Sequence, residues 1–438
     1  MIQPKLTAFD IAMIVVSLVI GVGIFRTPAI VAQSAGSAEV FFAAWIAGGL
    51  VSLCGALTFA EIGARYHFPG GFYKLISTAF HPVFAFMLNW VIVLTYGAGL
   101  AGVALIGAEY INPLLPVSLR SQAGIQGTVV ATVLIFFVVN YLGIKSSART
   151  QNVLSGLKIL LMALLCLGAL LPPAAGASAG PAPSSPAPDT GILSAFAVSL
   201  IAVFYTYGGY QQTLNFGADI KNPTQNTPRG ILAGIAIILA LYLCINFAYY
   251  RQLGFSGLAG SRLIAADLAR ALFGEWGFTF FSVAIFISVL GYINATLLSL
   301  PRVFYAMADD GVLPPIFKKV NARTQVQEFT LIFITVIVLA SLLVLGTFEK
   351  IVSYVMSIDS LALASAAASL FVFRRRVRGH DPHTGYKMRF YPWIPLLFVL
   401  FLLAVSVNVI LSDPVPAAIG WGLFFSGAPL YWVLKKVI

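Results

Sequence analysis

The sequence predicts an all-α membrane protein of twelve spanning helices, and three observations carry that expectation. Of its 438 residues, 59% are hydrophobic and 9% charged, against about 25% charged in ordinary soluble domains. Apolar runs long enough to cross a bilayer recur twelve times, at about 9–33, 38–64, 82–110, 125–144, 152–171, 191–217, 229–250, 275–305, 329–346, 351–373, 391–411 and 415–434. The basic residues are sorted between alternate loops. With the N-terminus inside, nineteen of the 26 Lys and Arg residues fall on cytoplasmic segments and five outside, while Arg26 and Lys158 lie within spans. That bias obeys the positive-inside rule and puts both termini in the cytoplasm. The net charge of +11, which in a soluble protein would point to nucleic acid, is here a matter of topology. The first apolar run is too long for a cleaved leader and lacks a small-residue cleavage site, so it is expected to remain as span one.

Span one begins as an unbroken apolar helix and then places Gly21, Gly23, Arg26, Thr27 and Pro28 where the membrane should be deepest. Two glycines and a proline weaken the hydrogen-bond ladder, so the helix is expected to break and free backbone N–H and C=O groups. Lipid does not tolerate such groups. They persist only where they line an enclosed cavity, and a broken midplane helix marks the substrate site of secondary transporters. A merely kinked structural helix is the plainer alternative; a Gly-x-Gly phosphate turn is disfavoured because no strand precedes it.

Span two closes on Ala60-Glu61-Ile62-Gly63-Ala64-Arg65, and Pro69-Gly70-Gly71 turns the chain into an amphipathic piece, Phe72 to Phe80, expected to lie along the membrane. Span three carries Trp90, Tyr96 and, near its outer end, Glu109, for which snorkelling to water is a sufficient account. Span five contains Lys158, several residues inside its apolar run. An intramembrane cation is a functional suspect by default, with snorkelling as the alternative. The stretch from Pro172 to Asp189, rich in Pro, Ala, Ser and Gly, reads as a flexible outer loop.

Span six holds a second interruption, Tyr205-Thr206-Tyr207-Gly208-Gly209-Tyr210-Gln211-Gln212. If spans one to five and six to ten form two units, both breaks fall in the first helix of their unit, which is the sequence pointer to a transporter binding site. Units of five spans must also be inverted with respect to each other. Span eight carries Ser288 and Tyr292 on one helix face. Spans eleven and twelve have uncharged interiors and read as scaffold or dimer surface.

These motifs together resemble the amino acid–polyamine–organocation superfamily, and most closely its amino acid permeases of the L-type exchanger kind. Gly-x-Gly-Ile-Phe in span one, Ala-Glu-Ile-Gly ending span two, Tyr207-Gly208-Gly209 followed by Tyr210, Lys221-Asn222-Pro223, and Asn294 with Arg302 and Asp310-Gly311 before Leu313-Pro314 match in order over residues 9 to 314. The resemblance implies the LeuT-like five-plus-five inverted repeat with two additional helices, the repeats spanning about 9–171 and 191–373 and the extra pair about 391–434. Relatives often have serine where Val22 stands, tryptophan and asparagine where Tyr210 and Gln211 stand, and two carboxylates where Asp219 stands alone. These departures bear on side-chain specificity.

The resemblance also implies site roles. The N–H groups of Val22, Gly23 and Ile24 would receive the substrate carboxylate at the positive end of the outer half-helix, with Gly21 beside them in the substrate site. The carbonyls of Val19, Tyr205 and Gly208 would accept from its ammonium group. Tyr205 matches the family's aromatic gate, with Tyr210 as a second gating residue. Lys158 would put its ammonium where sodium-coupled cousins bind a cation, against span-one carbonyls and Ser288, either as a fixed bridge or as a group that loads and releases a proton. The expected activity is alternating-access transport of free L-amino acids, neutral side chains favoured, without sodium. Exchange and proton coupling both stay open, and a polyamine or cationic amino acid antiporter is the alternative within the superfamily.

Other classes find little support. Cys54, Cys166 and Cys244 lie singly in separate apolar runs, and His67, His81, His380 and His383 fall in expected loops, so no metal spacing, cofactor motif or catalytic triad is present. An ion channel would need a repeated filter or a ring-forming charged span. Expected partners are the amino acid substrate, membrane lipid and, under proton coupling, protons; neither nucleic acid nor an accessory subunit is expected. The implied location is the cell membrane, most naturally a prokaryotic inner membrane.

Overall fold

The structure is a computed structural model that describes residues 6–437 except 22, 68–69, 143, 173–190, 346–347, 378–384 and 413. Among the described residues fourteen α-helices follow one another: α1 Ala8–Val19, α2 Gly23–Ala35, α3 Ala38–Arg65, α4 Gly71–Ala79, α5 Pro82–Ile111, α6 Gln122–Tyr141 and α7 Ile144–Cys166. The second series is α8 Ile192–Thr206, α9 Pro223–Gly260, α10 Ile264–Asp309, α11 Glu328–Leu345, α12 Phe348–Arg376, α13 Trp393–Ser412 and α14 Pro414–Val437. Among the described residues the sole extended pairing is the bridge of Leu6 with Ile220.

Among the described residues eight helices are long and apolar enough to cross a membrane, and α1 with α2 forms one further span bent by 47°. The shorter apolar stretches Pro82–Ile92, Val153–Cys166 and Glu328–Leu343 coincide with the remaining expected spans three, five and nine. The short α4 bears out the expected amphipathic piece, burying Phe72, Tyr73, Leu75 and Ile76. The outer loop expected from 172 to 189 lies almost wholly outside the described residues.

Between spans seven and eight, expected at about 229–250 and 275–305, the chain stays helical: α9 runs on to Gly260 and α10 begins at Ile264. The extra turns bend away from their spans at Gly254 and Gly274, whose φ values of 68° and 70° favour glycine. Ile264, Ala265, Ala266, Leu268 and Ala269 are fully buried, so the segment joining the two spans is a helical cap packed on the protein.

Packing partners repeat with a shift of five spans. Span one (α1) packs on span seven (α9), as span six (α8) packs on span two (α3); span five (α7) packs on span eight (α10), as span ten (α12) packs on span three (α5); span four (α6) packs on span eight, as span nine (α11) packs on span three. The last two helices are peripheral, α13 lying on α12 and α3, and α14 on α5 and α12. Leu397, Leu400, Val407 and Leu411 of α13 point outward as lipid-facing surface.

Lipid tails are as apolar as leucine, so van der Waals fit and polar contacts hold the helices together. Gly230 and Gly234 of α9 show how this draws α1 in: a Cβ at these positions would stand 2.5 and 2.6 Å from Ile11 and Val15. The resulting close contact fixes α1 up to the point where it breaks.

Candidate functional site

The last intact turn of α1 closes with Ile20 N–H donating to Val16 O at 2.8 Å. Ile20 then swings to ψ 74°, and Gly21 N–H turns back to Val19 O at 2.7 Å instead of reaching Ser17. This frees the carbonyls of Ser17 and Ile20. Lys158, 1% exposed, reaches across from α7 and donates to Ile20 O at 2.8 Å and Ser17 O at 3.2 Å. The hydroxyl of Tyr242 on α9 donates to Val19 O at 2.9 Å. On the α2 side Pro28 has no N–H for Ile24 O, which accepts from Tyr249 at 3.4 Å, and Phe25 O accepts from Tyr110 at 2.7 Å. One lysine and three tyrosines therefore satisfy the broken backbone that lipid could not.

The second break follows α8. Tyr207 N–H is shared between Val203 O and Phe204 O, and Gly208 N–H bonds Tyr205 O at 3.1 Å. Gly209 then takes φ 124°, and the chain continues as a 3-10 turn, Tyr210–Asn215. The two breaks touch. A Cβ on Gly209 would lie 2.6 Å from Leu18 O, and one on Gly23 would lie 2.9 Å from Thr206 Cγ2. The amino end of α2, the positive end of its helix dipole, thus stands beside the carboxyl end of α8, the negative end of the other.

Of the expected site residues, Gly21, Gly23, Ile24, Val19, Tyr205 and Gly208 are brought together at this meeting of breaks; Val22 lies outside the described residues. Gly21 faces the ring of Tyr292, whose Cδ2 would be 3.5 Å from an added Cβ. Tyr205 shares a hydrogen bond with Ser360 of α12. Two expected placements differ. Tyr210 is buried in the packing of α3, its ring 6.3 Å from Phe59 and its hydroxyl against Gly55, rather than over the breaks. Ser288 is also buried, and its hydroxyl has no hydrogen-bond partner, so the expected contact with Lys158 is not formed. The α10 residue beside the lysine is Gly291, where a Cβ would come within 3.1 Å of Lys158 Cε.

Contacts close the site from both faces. On the face away from the chain ends, Arg26 pairs with Glu109 at 3.4 Å and donates to Arg262 O at 3.4 Å, while Gln33 donates to Ala259 O at 2.6 Å, joining α2 to the helical cap. On the face carrying the chain ends, Leu6 pairs with Asp219 and Lys221 through backbone bonds, Arg302 pairs with Asp219 at 3.2 Å, and Lys74 pairs with Asp310. Glu61, with no exposed side chain, receives Arg65 Nε and Arg374 Nε at 2.8 Å, Arg374 Nη2 at 2.6 Å and Met388 N–H at 2.9 Å.

Sequence reasoning missed the tyrosines of α5 and α9, since a tyrosine in an apolar run gives no sign of which backbone carbonyl it will meet. It also passed over Asp359, an acidic residue within span ten that the rule for intramembrane charges would have flagged.

A family model described as amino acid permease matches residues 6–434. The chain is 26% identical to the serine/threonine exchanger SteT of Bacillus subtilis (strain 168) over 431 residues, covering 97% of this chain and 95% of that protein. It is 26% identical over 427 residues to the large neutral amino acids transporter small subunit 2 of Homo sapiens, covering 96% and 78% of the two chains. It is 26% identical over 443 residues to the human cystine/glutamate transporter, covering 99% and 85%.

Proposed function

The chain belongs to the amino acid permease family, and we propose that it is a sodium-independent exchanger of free L-amino acids, neutral side chains favoured, working by alternating access around the two breaks. One observation carries the reading: the amino end of α2 and the carboxyl end of α8 meet at Gly23 and Thr206. The carboxylate of a zwitterion binds the first, through the N–H groups of Val22, Gly23 and Ile24; its ammonium binds the second, through carbonyls of Tyr205 and Gly208, while Val19 O already accepts from Gly21 N–H and Tyr242 and only lines the site. Backbone alone then reads the part common to all amino acids. Lys158 supplies a fixed positive charge at the span-one carbonyls, which disfavours a metal cation there.

Tyr205, tied to Ser360, is the gating tyrosine that couples the site to α12. The repeat units run about 9–171 and 191–373, followed by two peripheral helices at about 391–434. The basic bias puts the face with the chain ends in the cytoplasm. A prokaryotic cell membrane suits a chain that covers nearly all of the bacterial relative. The activity is transport rather than chemistry, in line with relatives that are transporters.

The test is counterflow in proteoliposomes: vesicles preloaded with unlabelled amino acid should accumulate labelled substrate without sodium, whereas a channel would not exchange. Blocking either the α-amino or the α-carboxyl group should abolish competition. Equal competition by an N-acetylated substrate would remove the backbone site.

A further inference from the structure

A cavity of about 20 Å³ lies between α5, α10, α12 and the 3-10 turn after α8, and its polar lining is Asn89, Gln211, Asn215 and Asp359. That is room for little more than one water molecule, so no amino acid side chain of any length enters it. The lining is rich in acceptors. Asn89 is 1% exposed and gives its Nδ2 to Ala85 O, which leaves Oδ1 buried without a partner; Asn215, 5% exposed, likewise has an unpartnered Oδ1. Gln211 commits its oxygen to Gly209 N–H at the break itself. Asp359 is half-buried, and among the described residues no cation pairs with its carboxylate.

The surroundings of Asp359 sharpen the demand. From α8 and α10 the titratable groups facing it are the phenols of Tyr205 and Tyr292. From α5 and the 3-10 turn come the neutral amides, and from α4 the ring of Phe72. The other helices packed on α12, namely α3, α11, α13 and α14, bring it no charge. A half-buried carboxylate beside two further unpaired acceptors and no counter-charge needs a donor, and the volume admits only one water or a proton, of which the proton alone removes the charge. Asp359 is also adjacent in the chain to Ser360, the α12 residue that holds Tyr205.

We propose that this cavity is a proton site and that Asp359 is protonated whenever the substrate site closes. On loading, hydronium gives its proton to an Asp359 oxygen and leaves water. The neutral carboxyl then has the amide oxygens of Asn89 and Asn215 as acceptors in the same cavity. On opening, the proton returns to water. Closure with a bare carboxylate leaves an unpaired charge away from water, so the closed state, through which every exchange cycle passes, forms only with the proton bound. The inference rests on the transport reading above and adds a second ligand to it.

The experiment is homo-exchange in proteoliposomes with equal pH inside and out, for wild type and Asp359→Asn, paired with proton uptake by detergent-solubilised protein in weak buffer on adding a saturating amino acid. Wild-type exchange should fall severalfold between about pH 5.5 and about pH 8.5, with a proton taken up on substrate binding. Asp359→Asn, an isostere of the protonated carboxyl, should exchange at a rate flat with pH and take up no proton. If the variant does not exchange, proton uptake on confirmed substrate binding still decides: its absence supports the site and its persistence overturns it. A pH profile unchanged by Asp359→Asn also overturns it, as does selective loss of lysine or ornithine competition with that unchanged profile, which would give Asp359 to a substrate ammonium. Wild type that exchanges nothing at any pH would instead count against the proposed function.

Discussion

Lys158 Nζ donates to Ile20 O at 2.8 Å, a bond from span five to the last residue before span one breaks. With its companion bond to Ser17 O, it replaces the two N–H groups that the break took away. Lys158→Ala should therefore strand two buried carbonyls, at about 1–3 kcal/mol each, and lower exchange by at least about tenfold while the protein still inserts. Lys158→Arg keeps the charge, but a larger head must fit beside Gly291, so partial exchange is expected. Initial rates of labelled uptake, normalised to folded protein, check both. Near-normal rates in both variants would reduce the lysine to a bystander.

The glycines at the breaks should differ in tolerance. Gly209→Ala places a methyl 2.6 Å from Leu18 O in a residue at φ 124° and should abolish exchange. Gly208→Ala, whose Cβ would meet Tyr205 O at 3.1 Å, should be milder, and Gly208→Leu as severe as Gly209→Ala. A counterflow series over the three variants gives the order.

Gly23→Ala should lose activity because its Cβ would stand 2.9 Å from Thr206 Cγ2. Thr206→Ser removes that methyl and keeps the hydroxyl that donates to Ala202 O. The double variant should recover exchange that Gly23→Ala alone lacks. Failure of the second change to rescue would mean that the two breaks do not meet in the working protein.

Glu61 holds α3, α12 and the segment before α13 through four hydrogen bonds. Glu61→Ala leaves Arg374 and Arg65 without their carboxylate, a loss of roughly 3–5 kcal/mol for a buried pair. The thermal midpoint of purified protein in detergent should fall clearly, with or without substrate. An unchanged midpoint would show that water takes over the carboxylate's contacts.

Arg26 and Glu109 are part-exposed, so their pair contributes about 0.2–1 kcal/mol. Glu109→Gln should shift the balance toward opening at that face by no more than about fivefold, read as faster labelling of a cysteine introduced at Ile24 by an impermeant thiol reagent. The bond from Arg26 to Arg262 O survives the change, so Arg26→Ala should label faster still.

The sequence by itself determined the class, the spans and the place of both breaks, because hydrophobic length, basic-residue bias and paired glycines are local signals that no tertiary contact can reverse. It also singled out Lys158, since a charge inside an apolar run stands out wherever it points. What only the tertiary structure decided is who satisfies the freed backbone. Tyr242, Tyr249 and Tyr110 look like any other membrane tyrosine until α9 and α5 bring them to Val19, Ile24 and Phe25. Packing likewise took Tyr210 behind α3, left Ser288 without the lysine, and seated the helical segment between spans seven and eight on the protein. The reason is physical: a break announces itself through the residues that cannot continue a helix, whereas the partner of each freed group is chosen by which distant side chain arrives within about 3 Å.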